Sequence, residues 1–377
     1  MRPGNAYRLL ISLLLTVSLC SAASGLRSVA ALQAASVMRQ AEGFLYRGVS
    51  REASPTAFGA WMLAGKYRSF TSAAQPAFPV PGLAQGYVPQ GIVYLAELDC
   101  FALSSYFPGG GSPSLLSIVD AKSGVLEKSI FLHLPNGNDY TGHAGGLAAW
   151  GKHVWVTSDG NAYRLALKDI RKAGDGAALR FREVFSVGNR AGFAYCTEEV
   201  LWIGEFYADT PLIDLDPAHT EAASGNSAWC CGFRLNEKKE SGLTAKKRLD
   251  GMVTPDYVLS VPDYVQGMCE APGGELLLSC SYATQRPAWL LVYPPLARLL
   301  AQPPKAQVRA GGAKRPLWVL GAENQIKKQI MPPMSEGLAL RGEMIYILFE
   351  SAAAPYRAKA ELAADYVFRM ALPVDEF

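Results

Sequence analysis

Gly146-Leu-Ala-Ala-Trp-Gly-Lys-His-Val-Trp-Val-Thr-Ser-Asp159 and, far along the same chain, Gly337-Leu-Ala-Leu-Arg-Gly-Glu-Met-Ile-Tyr-Ile-Leu-Phe-Glu350 are two versions of one pattern. Each opens on a glycine, repeats a glycine at the same offset (Gly151, Gly342), runs on through alternating β-branched and aromatic residues, and stops at a carboxylate. Two short apolar runs around a glycine turn make a β-hairpin. Three looser copies surround them: Gly91-Ile-Val-Tyr94 with Cys100–Tyr106, Gly192-Phe-Ala-Tyr-Cys196 with Val200–Glu205, and Gly267-Met-Cys-Glu270 with Leu276–Tyr282.

A third column follows the hairpins. It reads Ala162-Tyr-Arg-Leu165, Gly232-Phe-Arg-Leu235 and Val367-Phe-Arg-Met370, with Leu115–Val119 and Trp289–Tyr293 in the other two units. A fourth run closes some units, as in Glu127–Leu132 and Arg182–Ser186. Four short strands per unit, recurring along the chain, describe an all-β propeller of about five four-stranded blades. A blade cannot bury its faces alone, so the units must stack around an axis. The long third and fourth units leave room for a sixth. The chain runs out after the third strand of the last unit, so the segment near Phe70–Val80 is expected to supply the missing outer strand and close the ring.

Outside the repeat, Arg2 and Arg8 precede an apolar run, Leu9–Leu19, and a small-residue exit, Ser21–Gly25. This reads as a signal peptide over residues 1–23, giving a secreted or periplasmic chain with no transmembrane span in its mature form. Residues 24–66 read as an N-terminal helical or linker segment, with a helix over 27–48, and 67–377 as the propeller domain. Stretches 209–228 and 301–316 are expected to be loops, and 237–248 a solvated loop or outer-strand edge. Removing residues 1–23 takes away Arg2 and Arg8 and leaves the 36 basic and 33 acidic residues almost balanced. A near-neutral chain with no basic, aromatic-interleaved run argues against nucleic acid as a partner.

Six cysteines remain, at 100, 196, 230, 231, 269 and 280, without a CxxC pair, so no zinc site of that type is expected. The adjacent Cys230 and Cys231 read better as two buried side chains than as a vicinal disulfide. No G-x-S-x-G elbow, P-loop, H-E-x-x-H helix or complete EF-hand loop is present. Four scattered histidines argue against a multi-histidine metal centre, and His153 reads as a turn residue.

Chemistry is therefore expected where equivalent residues converge at one mouth of the axial channel. Just before the opening glycines stand Gln90, Gln266 and Glu336, with His143 close by; ending the second strands stand Asp159, Glu205 and Glu350. Glu336, Glu350 and His143 are the candidate catalytic groups, as acid, base and proton carrier. Gln90, Gln266, Asp159 and Glu205 are the candidate ligand-binding groups, for a small molecule or peptide at the mouth. Converging carboxylates would equally suit a hard cation such as Ca²⁺. The aromatic column Phe101, Trp155, Trp202 and Tyr346 reads as packing between blades.

The run from Val88-Pro-Gln-Gly-Ile-Val-Tyr94 to Ser117-Ile-Val-Asp-Ala-Lys-Ser-Gly-Val-Leu126 resembles the opening blade of the plant- and bacterial-type glutaminyl cyclases. Those are five-bladed propellers that convert N-terminal Gln to pyroglutamate. The chain departs from them at Ser104-Ser105-Tyr106, where that family has a Glu-Ser-Thr-like run; a Glu-Ser pair occurs only at Glu350-Ser351. Tyr140-Thr-Gly-His-Ala-Gly-Gly146 and Met334-Ser-Glu-Gly-Leu338 are similar to segments of uncharacterised secreted bacterial propeller proteins. The first resemblance implies acyl-transfer chemistry by channel carboxylates. A binding propeller and such an enzyme, or a cation-dependent hydrolase or lactonase, are the competing readings, binding being the leading one.

Overall fold

A computed structural model describes residues 65–372. The expected signal peptide at 1–23 and helix at 27–48 lie outside the described residues. A short helix, α1 (Arg68–Ala73), leads into β1 (Ala74–Pro79). Five sheets follow around an axis. Blade one holds β2 (Val88–Leu95), β3 (Cys100–Tyr106), β4 (Leu115–Asp120) and β5 (Leu126–His133). Blade two holds β6 (Gly146–Trp150), β7 (His153–Ser158) and β8 (Asn161–Ala166); helix α2 (Leu167–Lys172) and β9 (Ala178–Arg180) intervene before β10 (Glu183–Ser186). Blade three holds β11 (Phe193–Cys196), β12 (Val200–Gly204), β13 (Ala228–Arg234) and β14 (Tyr257–Val261). Blade four holds β15 (Val265–Glu270), β16 (Leu276–Cys280) and β17 (Ala288–Tyr293); α3 (Leu296–Leu300), β18 (Ala306–Ala310) and β19 (Ala313–Val319) precede its outer strand β20 (Lys327–Met331). Blade five holds β21 (Ser335–Arg341), β22 (Met344–Phe349) and β23 (Tyr366–Met370), and β1 completes it.

The glycine pattern works as the sequence suggests. Gly151 (φ 50°) and Gly342 (φ 57°) take the left-handed conformation of tight hairpin turns. Inner strands such as β7 are buried at every position, because neighbouring blades cover both faces; the outer β5 alternates buried and open positions. The core therefore lies between blades. Phe101 and Tyr346 meet across the seam of blades one and five at 4.3 Å, and Trp155 and Trp202 are fully buried in the same column. Cys230 and Cys231 are free thiols on β13, and they enter different inter-blade clusters because successive strand residues face opposite ways.

The ring closes as anticipated: β1 pairs antiparallel with β23, from Ala74 opposite Met370 to Pro79 opposite Tyr366. Two prolines are tolerated in β1 because its outer side needs no ladder donors.

Outer edges are covered by the following blade. The parallel strand β9 of blade two lies on β5 of blade one. The loop before β14 bridges in parallel to β10 through Ser186 and Met252. The hairpin β18–β19, sent out by blade four, adds to β14 of blade three, making a six-stranded sheet. This overturns the expectation of a loop over 301–316. Gly311 and Gly312, both at positive φ, are its turn, and the charged Arg309, Lys314 and Arg315 masked its strand character. Stretch 237–248 is the loop that covers blade two. His153, read as a turn residue, is instead the first residue of β7, 1% exposed and stacked on Trp155 at 5.4 Å, and burial pushes its pKa down to about 4.

Candidate functional site

Strands alternate direction, so in every blade the link from second to third strand and the link to the next blade leave on one face. The candidate residues stand at this mouth.

The axis beneath it is almost shut. Gly91, Gly146, Gly267 and Gly337 let the inner strands approach so closely that the central cavity is about 10 Å³. A Cβ on Gly337 would stand 2.8 Å from Ile92 N, and one on Gly91 2.9 Å from Leu147 N. That space holds about one water molecule. The expected open channel is thus a plugged axis, with its chemistry confined to the mouth above a glycine collar.

Three inner strands carry a β-bulge at the same place. Register slips between Pro89 and Gly91, between Val265 and Gly267, and between Ser335 and Leu338. Gln90 and Gln266 are the extra residues of the first two, and Glu336 lies within the third. A bulge re-aims a side chain that regular pleating would place elsewhere.

Glu336 and Glu350 meet there. Glu336 is 1% exposed, and its carboxyl hydrogen-bonds that of Glu350. Gln90 Nε2 donates to Glu350 Oε2 at 2.8 Å and to Pro89 O at 2.9 Å. Burial pushes Glu350 up to about 8, although the hydrogen bonds from Gln90 and Glu336 pull it down. Burial, and then the Glu350 charge, hold Glu336 well above the carboxylate range. Burial thus favours the protonated form of both carboxyls. Glu336 Oε1 is buried with no hydrogen-bond partner.

Two tyrosines flank the pair, and neither was singled out in the sequence. Tyr106 Oη and Tyr356 Oη lie 3.3 Å apart. Burial raises both phenols, and the Glu350 and Glu336 charges add to this. Tyr106 ends the second strand of blade one, the place Glu350 follows in blade five; Tyr356 comes from an irregular loop that no repeat could reveal. The His143 ring stacks on Tyr106 at 4.2 Å. His143 keeps an exposed edge but sits in the crowded recess; desolvation lowers its pKa, and the Asp159 charge opposes this. Asp159, exposed and at φ 51°, accepts a 2.5 Å hydrogen bond from Ser158 Oγ, which itself accepts from His143 N.

The other candidates stand apart. Gln266 lines the axial cavity from blade four. Glu205 does not share the position of Asp159 and Glu350. Register pairs Phe193 with Gly204 as it pairs Gly146 with Thr157, so Glu205 lies one residue past that pair and Asp159 two. A one-residue offset turns a side chain to the opposite face. Glu205 is buried, with Oε1 accepting from Trp229 N at 2.8 Å and contacting His219 Nδ1 at 2.5 Å, and Oε2 accepting from Arg190 N at 3.3 Å. Its oxygens are occupied in tying down the 209–228 loop. Among the described residues no group of three or more His, Cys, Asp or Glu is placed to hold a metal ion. Two carboxyls and an amide fall short of the six to eight oxygens Ca²⁺ takes. No described helix is long and apolar enough to cross a membrane.

No protein-family model matches the chain, and no curated protein matches it. Solved structures similar to it include a glutaminyl cyclase from Myxococcus xanthus, at 11% identity over 79% of this chain and 97% of that one, TM-score 0.38. They also include the PQQ-bound aldose sugar dehydrogenase from Streptomyces coelicolor, at 14% identity over 79% of this chain and 98% of that one, TM-score 0.42.

Proposed function

We propose that this chain is an exported propeller that binds a small molecule or a peptide at the mouth, through the Glu336–Glu350 carboxyl pair and the tyrosines beside it. The observation that carries this reading is the buried Glu336 Oε1, without a hydrogen-bond partner, within a carboxyl pair whose burial favours the protonated forms. Such a group costs folding stability and has a use once a ligand supplies the missing partner. A pair that both donates and accepts suits an amide, which presents an N–H and a carbonyl together. The test is calorimetric titration of small primary and secondary amides into the mature chain, beside Glu350→Gln. Binding that weakens at least tenfold in the variant supports the reading; equal binding to both proteins defeats it. Export is tested by the mass of the mature protein, which should lack residues 1–23.

A second reading is acid–base catalysis, favoured by two neighbouring carboxyls that release their protons at different pH. In glutaminyl cyclisation the ionised Glu350 would take a proton from the attacking α-amine. Glu336 would deliver one to the departing amide nitrogen, which leaves as ammonia while the new C–N bond closes the ring. Ammonia release from a Gln-initiated peptide, lost in both Glu336→Gln and Glu350→Gln, is the outcome it requires.

A further inference from the structure

The net charge of +3 conceals an uneven distribution. On the mouth face the 205–227 connection carries Glu205, Asp209, Asp214, Asp216 and Glu221, with no lysine or arginine. Asp263 joins it there, accepting from Ser227 N at 2.8 Å, and the charges of Asp209 and Asp263 both reach Tyr207. The described connections on this face carry the cations Arg190, Arg286, Arg357 and Lys359; Arg190 is tied to the Asp214 carbonyl, Lys305 acts on Glu221, and Lys66 pairs with Glu361. On the opposite face, the 235–256 loop holds Lys238, Lys239, Lys246, Lys247 and Arg248 against Glu237, Glu240, Asp250 and Asp256, a balance slightly basic where the 205–227 connection is wholly acidic.

Aromatic rings also stand on this face. Tyr106 and His143 stack on one side of the mouth; Tyr264 and Tyr282 stack at 5.6 Å on another, with Phe206 6.4 Å from Tyr282. Rings among carboxylates attract organic cations through both the ring face and the net field. Acids alone would mark a solvated face. The independent observation is the buried oxygen Glu336 Oε1, which has no hydrogen-bond partner on a side chain 1% exposed and can accept from an N–H donor.

We infer that the ligand of this mouth carries an organic cation: an alkylammonium group that rests among the rings and the 205–227 carboxylates while an N–H of the ligand donates to Glu336. This rests on the binding reading above and adds the ligand's charge. The ammonium group could belong to a basic peptide side chain or to a free polyamine.

The experiment is titration of the mature chain with Nα-acetyl-lysinamide, its uncharged isostere Nα-acetyl-norleucinamide and the acidic Nα-acetyl-glutamic acid amide. The lysine probe is expected to bind at least about tenfold tighter than norleucine near 0.02 M salt, with a gap that narrows several-fold near 0.5 M, and the acidic probe weakest. Neutralising two exposed loop acids, Asp209→Asn with Asp214→Asn, should cut the lysine preference about two- to threefold per charge and leave norleucine unchanged. Spermidine and a lysine tripeptide then separate the sources, since the tighter of the two identifies the natural class. Equal affinity for lysine and norleucine probes overturns the cationic ligand and leaves the mouth as a binding site. Failure of every probe overturns both readings.

Discussion

Replacing Glu336 by Gln should stabilise the protein, increasingly so as pH rises. In the folded chain Glu336 and Glu350 are both raised far above 4.5, the value each takes when unfolded, with Glu350 at about 8. Below pH 4.5 folded and unfolded chains both hold these protons, and the pair costs nothing through linkage. Between pH 4.5 and 8 the folded chain keeps protons that the unfolded chain releases, so stability falls as pH rises. Each such group contributes a slope of about 1.4 kcal/mol per pH unit. Glu336→Gln removes one of the two and keeps an amide donor to Glu350. The difference in unfolding free energy between variant and wild type should therefore grow by about 1.4 kcal/mol per pH unit from pH 5 to 8, reaching about 3 kcal/mol near pH 7 relative to its value at pH 4. Relaxation around the pair would lower that figure without changing its sign. The assay is urea unfolding of both proteins at intervals from pH 4 to 8.5. A difference that stays flat across this range would refute the upward shift of Glu336 by burial, even if the variant were more stable throughout.

Three further outcomes follow from the packing. Gly337→Ala would press a Cβ to within 2.8 Å of Ile92 N and 3.1 Å of Gln90 O, so a loss of about 1–3 kcal/mol is expected by thermal unfolding. Phe78→Ala removes a ring, 3% exposed, that packs 5.3 Å from Phe101 at the closing seam; about 3–5 kcal/mol should disappear in urea titration. Glu205→Ala strips the acceptor from Trp229 N, Arg190 N and the His219 ring, so about 2–4 kcal/mol is lost and limited proteolysis should cut first within 209–228.

The propeller was legible because a blade repeats both its turn chemistry and its strand alternation; Gly151 and Gly342 marked the same turn in two blades. The closing strand was legible because the last unit lacked a partner. The β18–β19 hairpin was not, since charge and the Pro303-Pro304 pair hid a strand stabilised by the neighbouring blade's edge. Nor was the shut axis visible: glycines that read as turn openers turn out to be contact points between inner strands. At the mouth, alignment brought Gln90, Glu336 and Glu350 together, because bulge and strand end recur at equivalent places. It placed Glu205 wrongly, since aligning Gly192 with Gly146 was off by one residue, and one residue reverses a strand face. Tyr106 could have been found by extending the same column to blade one, whereas Tyr356 has no counterpart in the other blades.

The pairing of β1 with β23 joins residues from opposite ends of the described chain, Ala74 with Met370. Closing a loop of about 300 residues costs on the order of 5 kcal/mol of chain entropy, and it is incurred before the seam returns any contact. Translation delivers the N-terminal end first, so β1 must wait, unpaired, until nearly the whole chain has followed it. Four blades can stack in the meantime, but the cooperative unit forms only at the last strand, which makes ring closure the slow step expected of so non-local a topology. The same seam slows the reverse process: a blade cannot peel from a closed ring until β1 and β23 part. Resistance to proteolysis should accordingly track the rate of opening at this seam more closely than the equilibrium stability of any single blade.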